Sequence, residues 1–569
     1  MLLASYFACT VVAGIINNYS PVPFWDSWPG TLGFYLDHLQ GRYSIWWAQH
    51  NEHRIVLARL LFWLDFKLAS GSGILLLSSH LLLMMLAVYV FFLFSRRLLV
   101  LPAEQQKRAD LICLSLLTIW LFRWIQSENI VWTFQSQFFM AQTIPLLALY
   151  LLARASVQPG RKRWFVAACV AGVAATGTMA NGVITLPLML VYLLLTRQSW
   201  QRLAVLLLLT VVMLALYFHN YWSPPSHGSV LTTIREQPVE LAHYVLLYLG
   251  TPFFYLLNGS NASRLAVLAS VFMAIVTFAV LFRCITGLWK NPEQSEQQKH
   301  DLMWKLALVL FIAYIAGTAL GTGGGRLVFG LYQAVTLRYT TPALMAWAAV
   351  FLLLAPYIYR RWSTWRLGLL PLAVVVLLPM INKQADALIP QDGTRFERSL
   401  AALALELLIR DEERISAVYE LSNPFLDLSE RARRRQLSFF KDYPWQGLRE
   451  QMYDFYRMQD DLPQCLGHVD SITAATPDNF LIQGWLVDPE THRAASRIRV
   501  VDANNITRGF AVGGAVRRDV VKAIGMKSAR LSGFGGYVSA SAEDGELRLL
   551  AEEYGCVLTA PSLATTGTM

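Results

Sequence analysis

Through the first two thirds of the chain, polar residues are confined to short clusters. The stretches between them are apolar on every face, as in helices surrounded by hydrocarbon rather than amphipathic helices resting on a water-covered core. Crossing about 30 Å of hydrocarbon takes about 20 helical residues. The pattern predicts eleven spans, at 1–16, 73–95, 109–124, 136–154, 163–178, 182–197, 202–219, 263–285, 303–320, 340–359 and 365–382. Residues 238–258 are apolar as well, but a full crossing there would invert every later loop. They are expected to form a re-entrant or interfacial segment, which is allowed where protein shields its backbone. No charged leader precedes the first span, so no cleavable signal peptide is expected. From Thr394 to about Arg457 the period is helical and highly charged, and Arg431, Arg433, Arg434 and Arg435 read as a solvated face. From Gly467 onward, short runs such as Phe480–Val487, Arg497–Val501 and Gly535–Ser539 alternate with Gly, Asn and Asp turns, predicting a small β-sandwich. The expected fold is an all-α polytopic membrane domain (1–382), an extracytoplasmic helical segment (383–464) and an extracytoplasmic β-sandwich (465–569).

Composition agrees with this division. Of 569 residues, 55% are hydrophobic and 15% charged, with mean hydropathy +0.41. About 25% charged is usual for a soluble globule, so that class, a disordered chain and a disulfide scaffold are all excluded. Residues 1–382 hold 26 Lys and Arg against 12 Asp and Glu, a balance of +14, whereas the remainder holds 22 against 26, or −4. Basic charge distributed in this way argues for one positive membrane face and against nucleic-acid binding. Seventeen of those 26 basic residues fall in five alternate loops: Arg96 to Arg108, Arg154 to Arg163, Arg197 with Arg202, Arg283 to Lys305, and Arg360 to Arg366. These loops are therefore expected in the cytoplasm, and an odd span count leaves the tail outside. There Cys465 and Cys556 bracket the β domain and are disulfide candidates, while Cys9, Cys113, Cys169 and Cys284 read as packing residues.

Charged groups in the outward loops are the exceptions in so apolar a chain. The first loop carries Phe24-Trp25-Asp26-Ser27-Trp28, then Tyr35-Leu36-Asp37-His38, then Trp46 to Arg54 including His50, Glu52 and His53. An interfacial helix with a solvated face would explain that loop without chemistry. The chemical reading makes Asp26, walled by Trp25 and Trp28, a general base for a sugar hydroxyl. A phosphate leaving group needs positive charge rather than an acid. Arg326 after the Gly321 to Gly325 run, Arg338 with Tyr339, and Arg54 could supply it, although Arg54 could equally pair with Glu52 or Asp65. The glycine run itself is expected to be a flexible outer loop, because no Gly-Lys-Ser/Thr follows it. His50 and His53, with Asp26 or Asp37, could hold a divalent cation, yet no His-Glu-x-x-His spacing occurs. Glu128, Gln135, Gln137 and Asn181 face the same side and read as helix-end hydrogen bonders.

Taken together, Phe24-Trp25-Asp26, the Glu52-His53-Arg54 segment and the late Arg338-Tyr339 resemble the membrane glycosyltransferases of the C superfamily. The likeness covers roughly 1–382 and is nearest to bacterial enzymes that decorate surface glycans or pilins, arabinosyl transfer to a pilin among them. It implies inverting transfer of a hexose or pentose from a polyprenyl-phosphate donor to an extracytoplasmic glycan or pilin-type protein, at the bacterial inner membrane with the tail in the periplasm. By position, Asp26 would be the base and Asp37 a supporting carboxylate. Arg326 and Arg338 would bind the lipid phosphate, with Arg54 and Tyr339 beside them and Glu52, His53, Trp25 and Trp28 in support. Asp26-Ser27 stands where many members have adjacent acids, so the resemblance implies no certain metal. The tail resembles a β module found beside bacterial sugar-processing enzymes, through Gly484 to Asp488, Arg517 to Val520 and Gly533-Phe534. Two other classes stay open: a transporter or flippase of a lipid-linked sugar, against which the acid-poor spans and lack of repeated halves argue, and a non-catalytic envelope scaffold.

Overall fold

A computed structural model describes residues 1–158, 160–224, 227–257, 259–290, 295–361, 375–459, 461–539 and 545–560. The chain forms two compact units. The first comprises 1–16, 43–61 and 76–389, and the second 17–42, 62–75 and 390–569. The boundary at 389 lies close to the change in composition. Two pieces of the first loop, however, cluster with the tail.

The helices of the first unit include α1 (Leu2–Asn18), α2 (Ile74–Leu98), α3 (Ala103–Leu121), α4 (Ser136–Val157), α5 (Lys162–Thr176), α6 (Thr185–Leu195), α7 (Trp200–Phe218), α8 (Pro238–Phe254), α9 (Ser260–Lys290), α10 (Glu296–Arg326) and α11 (Thr340–Arg360). Among the described residues, six helices have the length and apolarity to cross a membrane, those built on α2, α4, α7, α9, α10 and α11. A seventh crossing is reached if α3 and Trp124–Val131, which meet at 43°, count as one broken span. Eleven complete crossings are not evident, for a reason of length: α5 has 15 residues and reaches about 22 Å at 1.5 Å per residue, short of the hydrocarbon. The expected span at 365–382 falls largely outside the described residues, as do Arg366 and the end of the 238–258 segment at Asn258. Within that segment α8 is a helix of 17 residues packed on α9, α10 and α11. The break after α3 leaves backbone groups that hydrocarbon could not satisfy. The Gln384 side chain meets them, accepting from Trp124 N–H at 2.8 Å and donating to Phe122 O at 3.2 Å.

In the second unit, α12 (Asp392–Leu407) and α13 (Asn423–Arg434) are the main helices of the region expected to be helical, which beyond Arg435 holds, among the described residues, only short turns such as Ser438–Lys441 and Arg449–Gln451. Ser422 caps α13 by accepting from Phe425 N–H, with Pro424 in its first turn. The strands are β1 (Leu466–Thr476), β2 (Asn479–Val487), β3 (Arg497–Val501), β4 (Thr507–Ala515), β5 (Gly533–Val538), β6 (Leu547–Ala551) and β7 (Cys556–Ala560). The β-sandwich expected here is replaced by one antiparallel sheet in the order β1-β2-β5-β4-β3-β6-β7. The sheet curls until its edges approach: Gln464, just before β1, bridges Val557 in β7, and Cys465 is disulfide-bonded to Cys556. Alternation along a strand marks one buried face but does not say whether a second sheet, the same sheet or a helix covers it. Here α12 covers β4 and β5, with Phe396 and Leu400 lying over Gly535, where a Cβ would come within 3.1 Å of the Phe396 ring.

Candidate functional site

At one end of the first unit's helices, residues 50–53 make a tight hairpin. His50 and His53 exchange both backbone hydrogen bonds, at 2.8 and 3.0 Å, and Asn51 turns the chain at φ 50°, a conformation Asn tolerates better than most residues. Glu52 therefore projects from the turn into a mostly buried cluster. Its carboxylate lies 3.3 Å from His227 Nδ1, 3.6 Å from His53 Nε2 and 3.7 Å from an Arg326 nitrogen. Ala180 N–H donates to His53 Nδ1 at 3.2 Å, which orients that ring. Burial works to raise the Glu52 pKa, but His53, His227 and Arg326 outweigh it and hold the carboxyl below its ordinary value. Burial lowers both His53 and His227 against the pull of Glu52.

Arg326 is set in place by a helix rather than a loop. The run Gly321 to Gly325, expected to be flexible, continues α10 to its last residue, because small residues let neighbouring backbone come close. A Cβ on Gly324 would lie 2.6 Å from Val230 Cα, and the carbonyls of Gly324 and Gly325 accept from Thr233 Oγ1 and Gly228 N–H at 3.1 Å. Arg326 thus sits at a helix C-terminus, where the dipole favours a cation, with its guanidinium over Phe329. Arg338 lies in a single helical turn before α11. Its Nε is 3.2 Å from Glu128 Oε1, and its carbonyl accepts from Asn129 at 2.7 Å. The Tyr244 hydroxyl is within electrostatic reach of both arginines, is fully buried, and has no hydrogen-bond partner among the described residues. Tyr339 is buried and stacked on Tyr248.

Arg54 does not join them. Its guanidinium is spent on three backbone carbonyls, those of Tyr217 at 2.8 Å, Trp47 at 2.6 Å and His219 at 2.7 Å, and the residue is 5% exposed. Arg54 ties the hairpin to the end of α7 and is not free to receive a phosphate.

The other expected residues belong to the second unit. Trp25 has φ 45°, donates its N–H to Val418 O at 2.8 Å and meets Tyr419 edge-on at 5.9 Å. Asp26 follows, half-buried, and its carbonyl accepts from Gly30 N–H at 2.8 Å. Burial, then Asp26 and Glu420, push the Tyr419 hydroxyl up, so Tyr419 is a near neighbour of the Asp26 carboxylate. Trp28, expected as a wall beside Asp26 at the membrane surface, is instead fully buried, packed on Phe425 at 4.9 Å and Phe439 at 6.2 Å. Asp37 pairs with Arg42 at 2.7 Å and Arg431 at 3.8 Å. In the tail, Gly484 to Val487 end strand β2 with Asp488 just beyond it, and Arg517 leads into a short helix, Arg518–Ile524. Asp488 accepts from Thr491, and Arg517 holds Asp470 and Asp519.

Among the described residues, no three His, Cys, Asp or Glu side chains are grouped to hold a metal ion. His227 and Tyr244 escaped the sequence reading, and Glu128 gained a partner it had not been given. The signals available were weak ones: an isolated His-Gly in the loop after α7, and a Tyr in a segment read only for its apolarity. The chain matches no protein-family model, and no curated protein is significantly similar to it in sequence.

Proposed function

We propose that this protein transfers a sugar, with inversion, from a polyprenyl-phosphate donor to the hydroxyl of an extracytoplasmic glycan or pilin-type protein. The observation that supports this reading most is the pair Arg326 and Arg338. Each is held at the end of a membrane-length helix and opposed by a single carboxylate, and an unpartnered Tyr244 hydroxyl stands nearby. Two guanidiniums and a hydroxyl suit a lipid phosphate at the hydrocarbon boundary. In the proposed step the acceptor hydroxyl loses its proton to the Asp26 carboxylate while its oxygen bonds to the anomeric carbon. The bond from that carbon to the phosphate oxygen breaks, and the electron pair leaves with the polyprenyl phosphate. A single displacement of this kind inverts the anomeric centre and needs no acid for the leaving group. Residence at the bacterial inner membrane, the eleven-span topology and a periplasmic tail are parts of the same proposal.

The experiment is reconstitution of the full chain in liposomes with labelled polyprenyl-phosphate pentose and hexose donors. Acceptor-dependent release of polyprenyl phosphate is the expected result. A flippase would move the donor between leaflets with its sugar–phosphate bond intact, and a scaffold would bind acceptor and consume no donor.

A further inference from the structure

At the other end of the same helices, the first unit contains a cavity of about 630 Å³ that the transfer reading does not use. It lies where α9 ends, α10 begins and α11 ends, beside one of the basic loops. Its polar wall is formed by Arg283, Thr286, Gln298, Asp301, Lys305 and Tyr357, and Val280, Leu302 and Leu353 supply apolar surface. Lys305 is mostly buried and pairs with Asp301 at 2.6 Å. Arg283 donates to the Tyr357 hydroxyl and lies over that ring, its centre 5.8 Å away. No carboxylate pairs with Arg283 among the described residues. The one acid in the wall is thus taken by Lys305, and the cavity keeps a positive charge on a group that cannot deprotonate. An anion with several acceptor oxygens matches a guanidinium, an ammonium and a hydroxyl converging in this way. The flank of α9 indicates where that anion comes from. Ile275, Phe278 and Phe282 recur at helical spacing and are each more than 60% exposed, an apolar stripe that ends beside Arg283. Acyl chains lying along the stripe would bring a headgroup phosphate level with the cavity.

We propose that this cavity binds the phosphate of an anionic lipid headgroup. The proposal stands whether or not the protein transfers sugar. Native mass spectrometry of the full chain in detergent tests it, with phosphatidylglycerol, the phosphate-free diacylglycerol of the same chains, and inorganic phosphate as probes. Wild type is expected to retain phosphatidylglycerol and not diacylglycerol. Arg283→Ala with Lys305→Met should weaken retention about tenfold, and Arg283→Lys should restore most of it. Tyr357→Phe, which removes only a hydroxyl, should weaken retention by a smaller factor and decides the matter if the double variant does not fold. Displacement of phosphatidylglycerol by millimolar inorganic phosphate would show that the site reads phosphate from either source. Displacement by lipid alone would fix the source as a headgroup. Equal retention by wild type and by folded Arg283→Ala or Tyr357→Phe protein, or equal retention of diacylglycerol, overturns the proposal.

Discussion

In the second unit Arg497 and Arg499 both clamp Glu552, each at 2.6 Å, Arg508 holds Asp502 at 2.9 Å, and Arg517 is gripped by Asp470 and Asp519. At the rim of the first unit, Arg326 and Arg338 face one carboxylate each, at 3.7 and 3.2 Å, and remain partly open, with 29% and 33% of their side chains exposed. A guanidinium has five donors in a fixed fork. Where acceptors saturate the fork, the residue is scaffold; where donors are left over beside a buried hydroxyl, it can receive a ligand. Arg54 makes the distinction inside the first unit. The sequence offers it as a third phosphate-binding candidate after Arg326 and Arg338, but three carbonyls already occupy it.

That contrast can be broken by substitution. Arg54→Ala would leave three buried carbonyls without their donor and should cost about 4 kcal/mol, read as a lower melting temperature and not as a weaker donor interaction. A loss confined to donor affinity would break the comparison. Glu406, a buried carboxyl of α12, tests the second unit's self-sufficiency from the other side. Burial pushes its pKa up to about 7, against the backbone N–H groups of Arg449 and Leu448 and the charge of Arg433. Its folded form prefers the proton, so stability is full below the unfolded value near 4.5 and declines as pH rises through 7. Glu406→Gln should remove that decline and stabilise the protein at pH 8 by about 3 kcal/mol at most, with little change at pH 4. Denaturant unfolding at the two pH values measures it. Arg326→Ala should raise the donor KM about tenfold, equivalent to about 1.4 kcal/mol, and shift the melting temperature little. Arg434 pairs with Glu430 at an exposed position, and Arg434→Ala should change stability by less than about 0.5 kcal/mol.

The long spans were legible because α2, α9 and α10 are apolar over more residues than any globular core requires. The Cys465–Cys556 pairing was legible as a possibility, since both cysteines flank one β segment. What failed depended on information the chain does not carry locally. Glycines at 321–325 look the same whether they loosen a loop or admit Val230 against a helix. Trp28 looks like Trp25 until Phe425 and Phe439, some 400 residues later, are seen to cover it. His227 reaches Glu52 only through the packing of the end of α10 on the helix that follows Gly228. The alternating strands specify an inward face and leave the covering layer, here α12, to the tertiary structure.

The most direct measurement compares wild type with Asp26→Asn in the liposome assay, because the substitution removes the basic oxygen while keeping the shape of the side chain. The account predicts at least a hundredfold fall in acceptor-dependent release of polyprenyl phosphate, with the melting temperature unchanged. Release by Asp26→Asn at the wild-type rate would contradict it.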